Sequence, residues 1–353
     1  MPAAGLMLIG ASDAAPERRA DPSMASDVMT GRTEARKAYL LLLVMPLFFS
    51  SNIVIARGIG EAVPPFTLAL LRWGLAVAIL LPFTWRALVR YRPVLKAAWR
   101  RIALLGFLGM WICGALVYIA LAATTATNGT LIYTTSPVIV LLIETVVLRK
   151  PLSPLRLAGV VLALAGVAVI VLKGDAGALL RLQFNPGDLG IAAAATAWAV
   201  YSVVLRDQRL AGLPTLALFA AIAMAGVATL VPFSLWEAAQ GPVLPASLSA
   251  WLAVLALALF SAVGAFSLYQ YGVKVVGPAI TSCFLYLLPL YGVGMSVVFL
   301  GESLHTYHFA GMALVLVGLV AATAPADILA AVRARLGLAP SGEPPHTGPS
   351  SAP

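Results

Sequence analysis

The chain has 353 residues, of which 61% are hydrophobic and only 10% charged, and its mean hydropathy is +0.96. A soluble globular domain carries about 25% charged residues, so this composition excludes a water-soluble fold and describes a polytopic membrane protein. The net charge of +9 gives no case for a nucleic-acid partner: no basic patch is interleaved with base-stacking aromatics on a soluble element, and the Lys and Arg residues sit at the ends of apolar runs, where they face anionic headgroups.

Residues 1–36 are rich in Ala, Asp, Arg, Ser and Pro. They lack the plan of a secretory signal and read as a disordered cytoplasmic tail. Apolar runs long enough for a membrane helix at ~20 residues then follow near Ala38–Ala56, Phe66–Trp85, Ile102–Ala123, Thr127–Leu148 and Leu155–Leu172. After a polar break come Leu189–Leu205, Thr215–Leu235, Ala250–Val273, Ala279–Leu300 and Tyr307–Ala324. The expected fold is an all-α polytopic membrane protein of ten transmembrane helices, five in residues 37–174 and five in 186–325. Residues 326–353 form a second cytoplasmic tail, Pro, Ser and Gly rich from Gly337 onward and therefore expected to be mostly disordered.

The two sets of five are copies. Pro137 and Pro289, Gly159 and Gly311, and Gly166 and Gly318 are each 152 residues apart. Phe49 and Trp198, Arg57 and Arg206, and Pro65 and Pro214 are each 149 apart. Cytoplasmic loops favour Lys and Arg, and an inside amino terminus puts nineteen of the 23 basic residues on that side. Arg57, Lys173 and Arg181 remain outside, and Arg72 falls within a span. Both termini are then cytoplasmic. Because five is odd, the second copy enters the membrane from the opposite face. Inverted repeats are a transporter architecture, in which two similar halves rock about a midplane site.

The Asn52–Arg57 stretch, the Pro65-to-Arg72 entry into the second span, the Pro289-to-Leu300-Gly301-Glu302 segment and the Gly311 and Gly318 pair resemble the EamA domains of the drug/metabolite transporter superfamily. The resemblance covers both repeats, roughly Ala38 to Ala324. It implies a ten-helix metabolite exporter with a central cavity, often for amino acids or related compounds, and so a bacterial plasma (inner) membrane location. It also implies an Arg at the position of Arg72 across members with different substrates. One departure stands out. The loop before the last span of a repeat usually reads Leu-Gly-Glu in this family, but the first repeat has Leu148-Arg149-Lys150, which we read as a topological feature.

Polar residues inside spans are costly unless paired or facing a cavity. Arg72 suits a substrate carboxylate or phosphate, or a structural role bonding carbonyls near the outer interface. Glu144 lies one turn before the end of the fourth span. It reads either as a proton-coupling carboxylate or as a group reaching toward Arg149 or Arg156 at the cytoplasmic rim. Asn52, Thr127, Asn128, Tyr133, Ser136, Trp198, Tyr201, Tyr269, Gln270, Ser282 and Tyr286 recur near matched positions and form the candidate substrate-binding set, since aromatic walls with a few hydrogen-bonding groups suit a small amphipathic ligand. Taken singly, each is also compatible with interhelical packing or an interfacial aromatic belt. Tyr133 and Tyr286 each precede a mid-span proline, Pro137 or Pro289, within a turn. These prolines are expected to bend their helices and open a cavity wall.

Cys113 and Cys283 fall inside apolar runs and behave as small hydrophobes, without zinc or disulfide spacing. His305 and His308 read as a solvated loop. No phosphate loop, nucleophile elbow or HExxH stretch occurs, so neither metal nor cofactor is expected and the chain does not read as an enzyme. The expected function is secondary transport of a small metabolite, with the lipid bilayer as the other partner and a monomer sufficient. The alternatives are transport of a phosphorylated or lipid-linked sugar, which should show more than one cavity cation, and an intramembrane lipid-modifying enzyme, which needs clustered acids or a nucleophile with a base.

Overall fold

A computed structural model describes residues 22–59, 63–183, 185–300 and 303–324. Among them there are helices and no strand. The first helix, α1, spans Pro22–Ile59. Nine helical stretches long and apolar enough to cross a membrane follow: α2 (Pro65–Arg90), α3 (Trp99–Ala122), α4 (Thr127–Val147), α5 (Pro154–Val171), α6 (Pro186–Val204), α7 (Thr215–Ala238), α8 (Leu248–Val275), α9 (Pro278–Met295) and α10 (Thr306–Thr323). With α1, which holds the Ala38–Ala56 run, they make the ten-helix plan.

α1 starts earlier than its apolar run. Residues 22–36, assigned by composition to a disordered tail, continue the first span as helix. Pro22 stands at the first helical position, where a missing N–H costs nothing, and the next proline inside the helix is Pro46. Residues 1–21 and 325–353, which hold the rest of the two expected tails, lie outside the described residues, as do Gly301 and Glu302. The other helices begin on local signals. Pro65, Pro154, Pro186 and Pro278 occupy first-turn positions. The hydroxyls of Thr125 and Ser247 accept the Asn128 and Ala250 N–H groups at 3.1 and 3.2 Å, filling the role of an N-cap.

The contacts between the copies define a two-fold relation. Gly159 and Gly311 are repeat equivalents, as are Gly166 and Gly318. A Cβ on Gly159 would stand 2.7 Å from the Gly318 oxygen, and one on Gly166 would stand 2.7 Å from the Gly311 oxygen. This crossed pairing is what an axis passing between equivalents requires. Since the earlier glycine of α5 meets the later glycine of α10, the two matched helices run antiparallel. The same holds for α2 and α7: Thr67, at the start of α2, shares a hydrogen bond of 2.9 Å with Ser234 near the end of α7. α4 packs on its equivalent α9, whereas α1 packs on α8 and α6 on α3, the exchange that the same axis generates. The inverted repeat is thus visible in the packing itself. Small residues allow it, because association in a bilayer relies on close van der Waals contact.

Two pairs of equivalent helices are irregular at matched places. α3 is π-helical over Phe107–Leu116 and α8 over Leu257–Ala265. α4 is interrupted at Thr134 and Thr135, directly before Ser136 and Pro137. α9 tightens to a 3-10 turn over Phe284–Leu287, directly before Leu288 and Pro289. A proline lacks the N–H that would close the preceding turn, and π segments and broken helices concentrate at functional sites.

Candidate functional site

α6 places Trp198 and Tyr201 three residues apart on one face, stacked with ring centroids 5.4 Å apart. α8 sets Phe266, Tyr269 and Gln270 against them. Trp198 lies 4.7 Å from Tyr269 and meets Phe266 edge-on at 5.3 Å. Phe49 of α1 closes one side, 5.7 Å from Trp198. Trp73 of α2 and Phe219 of α7 reach Phe266 at 4.8 and 6.0 Å. Five helices and both repeats therefore share one aromatic centre, and Trp73, Trp198, Tyr201 and Tyr269 are among the largest fully buried side chains.

Hydrogen bonds wire this centre. Gln270 Nε2 donates to the Tyr201 hydroxyl at 2.9 Å, and the Ser202 and Tyr269 hydroxyls share a bond of 2.6 Å. Several polar atoms are left over. Gln270 Oε1, Tyr286 Oη, Ser136 Oγ and Thr281 Oγ1 are buried without a partner. A buried polar atom without a partner costs about 1–3 kcal/mol, and a solute carrying complementary groups would remove that cost.

The irregular turn of α4 adjoins the centre. Tyr133 ends the first half of α4, with its hydroxyl in interaction range of Cys113 and Tyr269. Ser136 follows the interruption, and the second half of α4 packs on the first half of α9. There Tyr286 is fully buried and Ser282 donates to the Ala279 carbonyl at 3.0 Å.

Arg72 is 3% exposed and is held by neutral side chains. Its Nη1 donates to the Tyr118 hydroxyl at 2.9 Å and to Asn52 Oδ1 at 3.2 Å. The guanidinium lies 4.9 Å from the Trp73 ring, a cation–π contact that joins it to the aromatic centre. Its Nε is buried without a partner. Its bonds run to the Asn52 and Tyr118 side chains, where the structural reading of the sequence had expected carbonyls. Asn52 is thus Arg72's partner, and Tyr118 is a member of the group that sequence reasoning missed.

Two candidates stand apart. Asn128 lies in the first turn of α4, and its Nδ2 donates to Asp188 Oδ2 at 3.0 Å and to the Gln183 carbonyl at 2.8 Å. Asp188 also accepts from Thr124 and from the Asn185 N–H. Glu144 is 5% exposed and pairs with Lys150 Nζ at 2.5 Å. The sequence offered Arg149 or Arg156 as its partner. The residue that takes the place of the family's Glu fills that role instead.

The geometry here also explains Arg149. It has φ +52°, a left-handed conformation that lets the Lys150 N–H reach back to the Glu144 carbonyl at 3.0 Å and so ends α4 in a Schellman-like turn. Gly301 occupies the matched place in the second repeat, outside the described residues. Glu237, an acid that sequence reasoning missed, ties the end of α7 to the start of α2. It accepts the Phe66 and Thr67 N–H groups at 3.0 and 2.7 Å and the Thr67 hydroxyl at 2.8 Å. His308 Nδ1 accepts the His305 N–H at 3.0 Å at the start of α10. No group of three metal-ligating side chains occurs among the described residues.

The chain is 26% identical over 290 residues to the uncharacterized transporter YyaM of Bacillus subtilis, covering 81% of this chain and 93% of that one. It is 29% identical over 296 residues to an uncharacterized transporter of Archaeoglobus fulgidus, covering 82% of this chain and 98% of that one. A solved crystal structure superposes with a TM-score of 0.65 at 25% identity, over 81% of this chain and 97% of its own. A model of the EamA-like transporter family matches residues 36–172 and 185–324, one match for each five-helix repeat. The chain belongs to the EamA-like transporter family and is an integral membrane transporter.

Proposed function

We propose that this transporter exports a small amphipathic metabolite, an amino acid or related compound, by alternating access about the aromatic centre, from a bacterial inner membrane with its basic end in the cytoplasm. The observation that carries the reading is a set of buried polar atoms without partners on the helices of the central region. Gln270 presents one beside Tyr201, and Ser136 on α4 and Thr281 and Tyr286 on α9 present the others. Apolar walls with a few fixed polar groups suit a small solute. The two antiparallel copies supply halves that can rock about it.

Arg72 is the buried cation among the described residues, which disfavours a phosphorylated or lipid-linked sugar. The buried acids Glu144, Asp188 and Glu237 are engaged in separate places, by Lys150, by Asn128 and Thr124, and by the start of α2. They do not form the cluster that lipid-modifying chemistry would need. Nor does Glu144, paired at the rim, suit a proton-coupling site.

The test is uptake and efflux of radiolabelled amino acids and related metabolites in proteoliposomes, with and without an imposed pH gradient, for the native chain, Tyr201→Phe and Glu144→Gln. Tyr201→Phe removes the acceptor for Gln270 and should raise KM about tenfold, the worth of one lost hydrogen bond, while Glu144→Gln should transport normally. No movement of any amino acid, together with movement of a phosphorylated sugar, would overturn the substrate reading. Loss of transport in well-expressed Glu144→Gln would restore Glu144 as the coupling group.

A further inference from the structure

Between the end of α6, the start of α7 and the last turn of α8 lies a cavity of about 300 Å³. Arg206 and Lys274 stand on its rim, Leu205, Leu213 and Leu218 line its walls, and Gln270 lies at its inner end. No carboxylate lines it. Asp207, adjacent to Arg206 in the chain, is engaged by Arg101 and by the Arg209 N–H at 2.9 Å. Lys274 commits one donor to the Leu213 carbonyl at 2.9 Å, and an ammonium has three. One end of the Gln270 amide is bonded to Tyr201, and the other is buried without a partner. The cavity thus combines two cations with an aliphatic wall, and it shares Gln270 with the aromatic centre.

We propose that this cavity is a loading site, separate from the aromatic centre, for the carboxylate of a small acid with an aliphatic body. It rests on the transport reading above and adds to it where, and by which charge, a solute is first held. Two cations with no opposing acid favour a carboxylate, which takes charge-assisted bonds from both. The leucine walls accept a branched chain. Gln270 links the two sites: it lines the cavity, and its Nε2 keeps a second N–H beyond the one donated to Tyr201.

The experiment uses the full chain in phosphatidylcholine nanodiscs. Binding is read by scintillation proximity with tritiated 4-methylpentanoate, competed with 4-methylpentanamide, isoamylamine and inorganic phosphate. The acid should bind saturably, and the neutral amide and the amine should compete at least about tenfold more weakly. Lys274→Gln and Arg206→Gln should each weaken the acid about tenfold with monodisperse protein, the order expected for losing one charge-assisted bond. Equal competition by the amide, competition by phosphate as strong as by the acid, or native affinity in both Lys274→Gln and Arg206→Gln would overturn the proposal. Binding of the acid without transport of any solute would instead sink the transport reading, and transport with an unchanged KM in both variants would sink the loading site alone.

Discussion

Gly159→Ala tests the crossing on which the two-fold relation rests. The added methyl would stand 2.4 Å from the Ala322 nitrogen, 2.7 Å from the Gly318 oxygen and 2.9 Å from the Ala321 carbonyl carbon, all backbone atoms, whereas ordinary contact begins near 3.4 Å. α5 and α10 must therefore part locally by about 1 Å, the difference between those two distances. A gap of that size forfeits up to about half of each dispersion contact it opens, and overpacking of a tight interface costs roughly 1–3 kcal/mol. Gly311→Ala is the informative comparison. Its methyl meets Ile170 Cγ1 at 2.4 Å and one backbone atom, the Gly166 oxygen, at 2.8 Å, so only part of its clash falls on backbone. Gly74→Ala is the control, with nothing within 4 Å and a helix propensity gain of up to about 1 kcal/mol. Thermal unfolding of purified protein should rank Gly159→Ala lowest in Tm, Gly311→Ala next, and Gly74→Ala at or above the native chain. An unchanged Tm in Gly159→Ala would refute the close crossing and the antiparallel register derived from it.

Arg149→Gly should raise stability, because the left-handed backbone at φ +52° costs a side-chain-bearing residue ~1 kcal/mol that glycine avoids; a lowered Tm would show that the Arg149 side chain makes a compensating contact. Lys150→Gln should destabilise more than the double substitution Glu144→Gln/Lys150→Gln, since it leaves a buried carboxylate without its cation; the coupling in a double-mutant cycle should be on the order of 1 kcal/mol given the exposure of Lys150, and zero coupling would dismiss the pair. Burial alone would raise the Asp207 carboxyl, but the Arg209 N–H, the Arg101 hydrogen bond and the charges of both arginines outweigh it and hold the carboxyl below its ordinary 3.8. A group depressed in the folded state adds stability that is present above its unfolded value and lost as pH falls through the folded one. Asp207→Asn should thus lower stability at pH 7 by under about 1 kcal/mol and flatten the loss below pH ~4, and an unchanged acid limb would contradict this.

The spans and the duplication are legible in the sequence because the bilayer demands long apolar runs and because Pro137, Gly159 and Gly166 recur in register. The site is legible only in part. Trp198, Tyr201, Tyr269 and Gln270 stand out as aromatic or polar groups in apolar helices, and the structure brings them together. Asn128 has the same appearance in the sequence but lies a whole half-helix away, because depth along a span depends on where the helix starts, and α4 starts at its first polar turn. Asp188 and Glu237 escaped notice for a related reason: each lies within two residues of an apolar run's end, where a charge reads as solvated. Lys274 and Arg206 were absorbed by the positive-inside count. That rule treats a basic residue as a topology signal and is blind to the cavity beside it.

The two-fold is not kept at the two ends of the molecule, and the breakage follows from a few side chains. At the end opposite the basic loops, the α3–α4 junction is fastened to the first turn of α6 through Asp188, which takes bonds from Thr124 and Asn128. The 152-residue register carries Thr124 to Val276 and Asn128 to Ile280, and the 149-residue register carries Asp188 to Tyr39. None of these can reproduce a carboxylate network. Tyr39 instead donates to the Thr323 carbonyl at 3.0 Å. At the matched α8–α9 junction, Gly277 adopts φ +94° and lets Arg206 lie where a Cβ would stand, 2.3 Å from its Nη1. One end is therefore closed by hydrogen bonds to a buried acid, and the other keeps a cavity walled by leucine and rimmed by cations. A symmetric carrier would hold its two gated states at equal energy. Under the alternating access proposed above, the bonds to Asp188 would hold the far end shut and favour the state open toward Lys274, where a solute would meet positive charge first. Asp188→Asn keeps the shape of the latch but weakens the charge-assisted bonds from Thr124 and Asn128, and should shift the population toward the other state. Labelling of a cysteine introduced at Thr125 by a membrane-impermeant maleimide should then speed up, and an unchanged labelling rate would show that the acid is not what keeps that end closed.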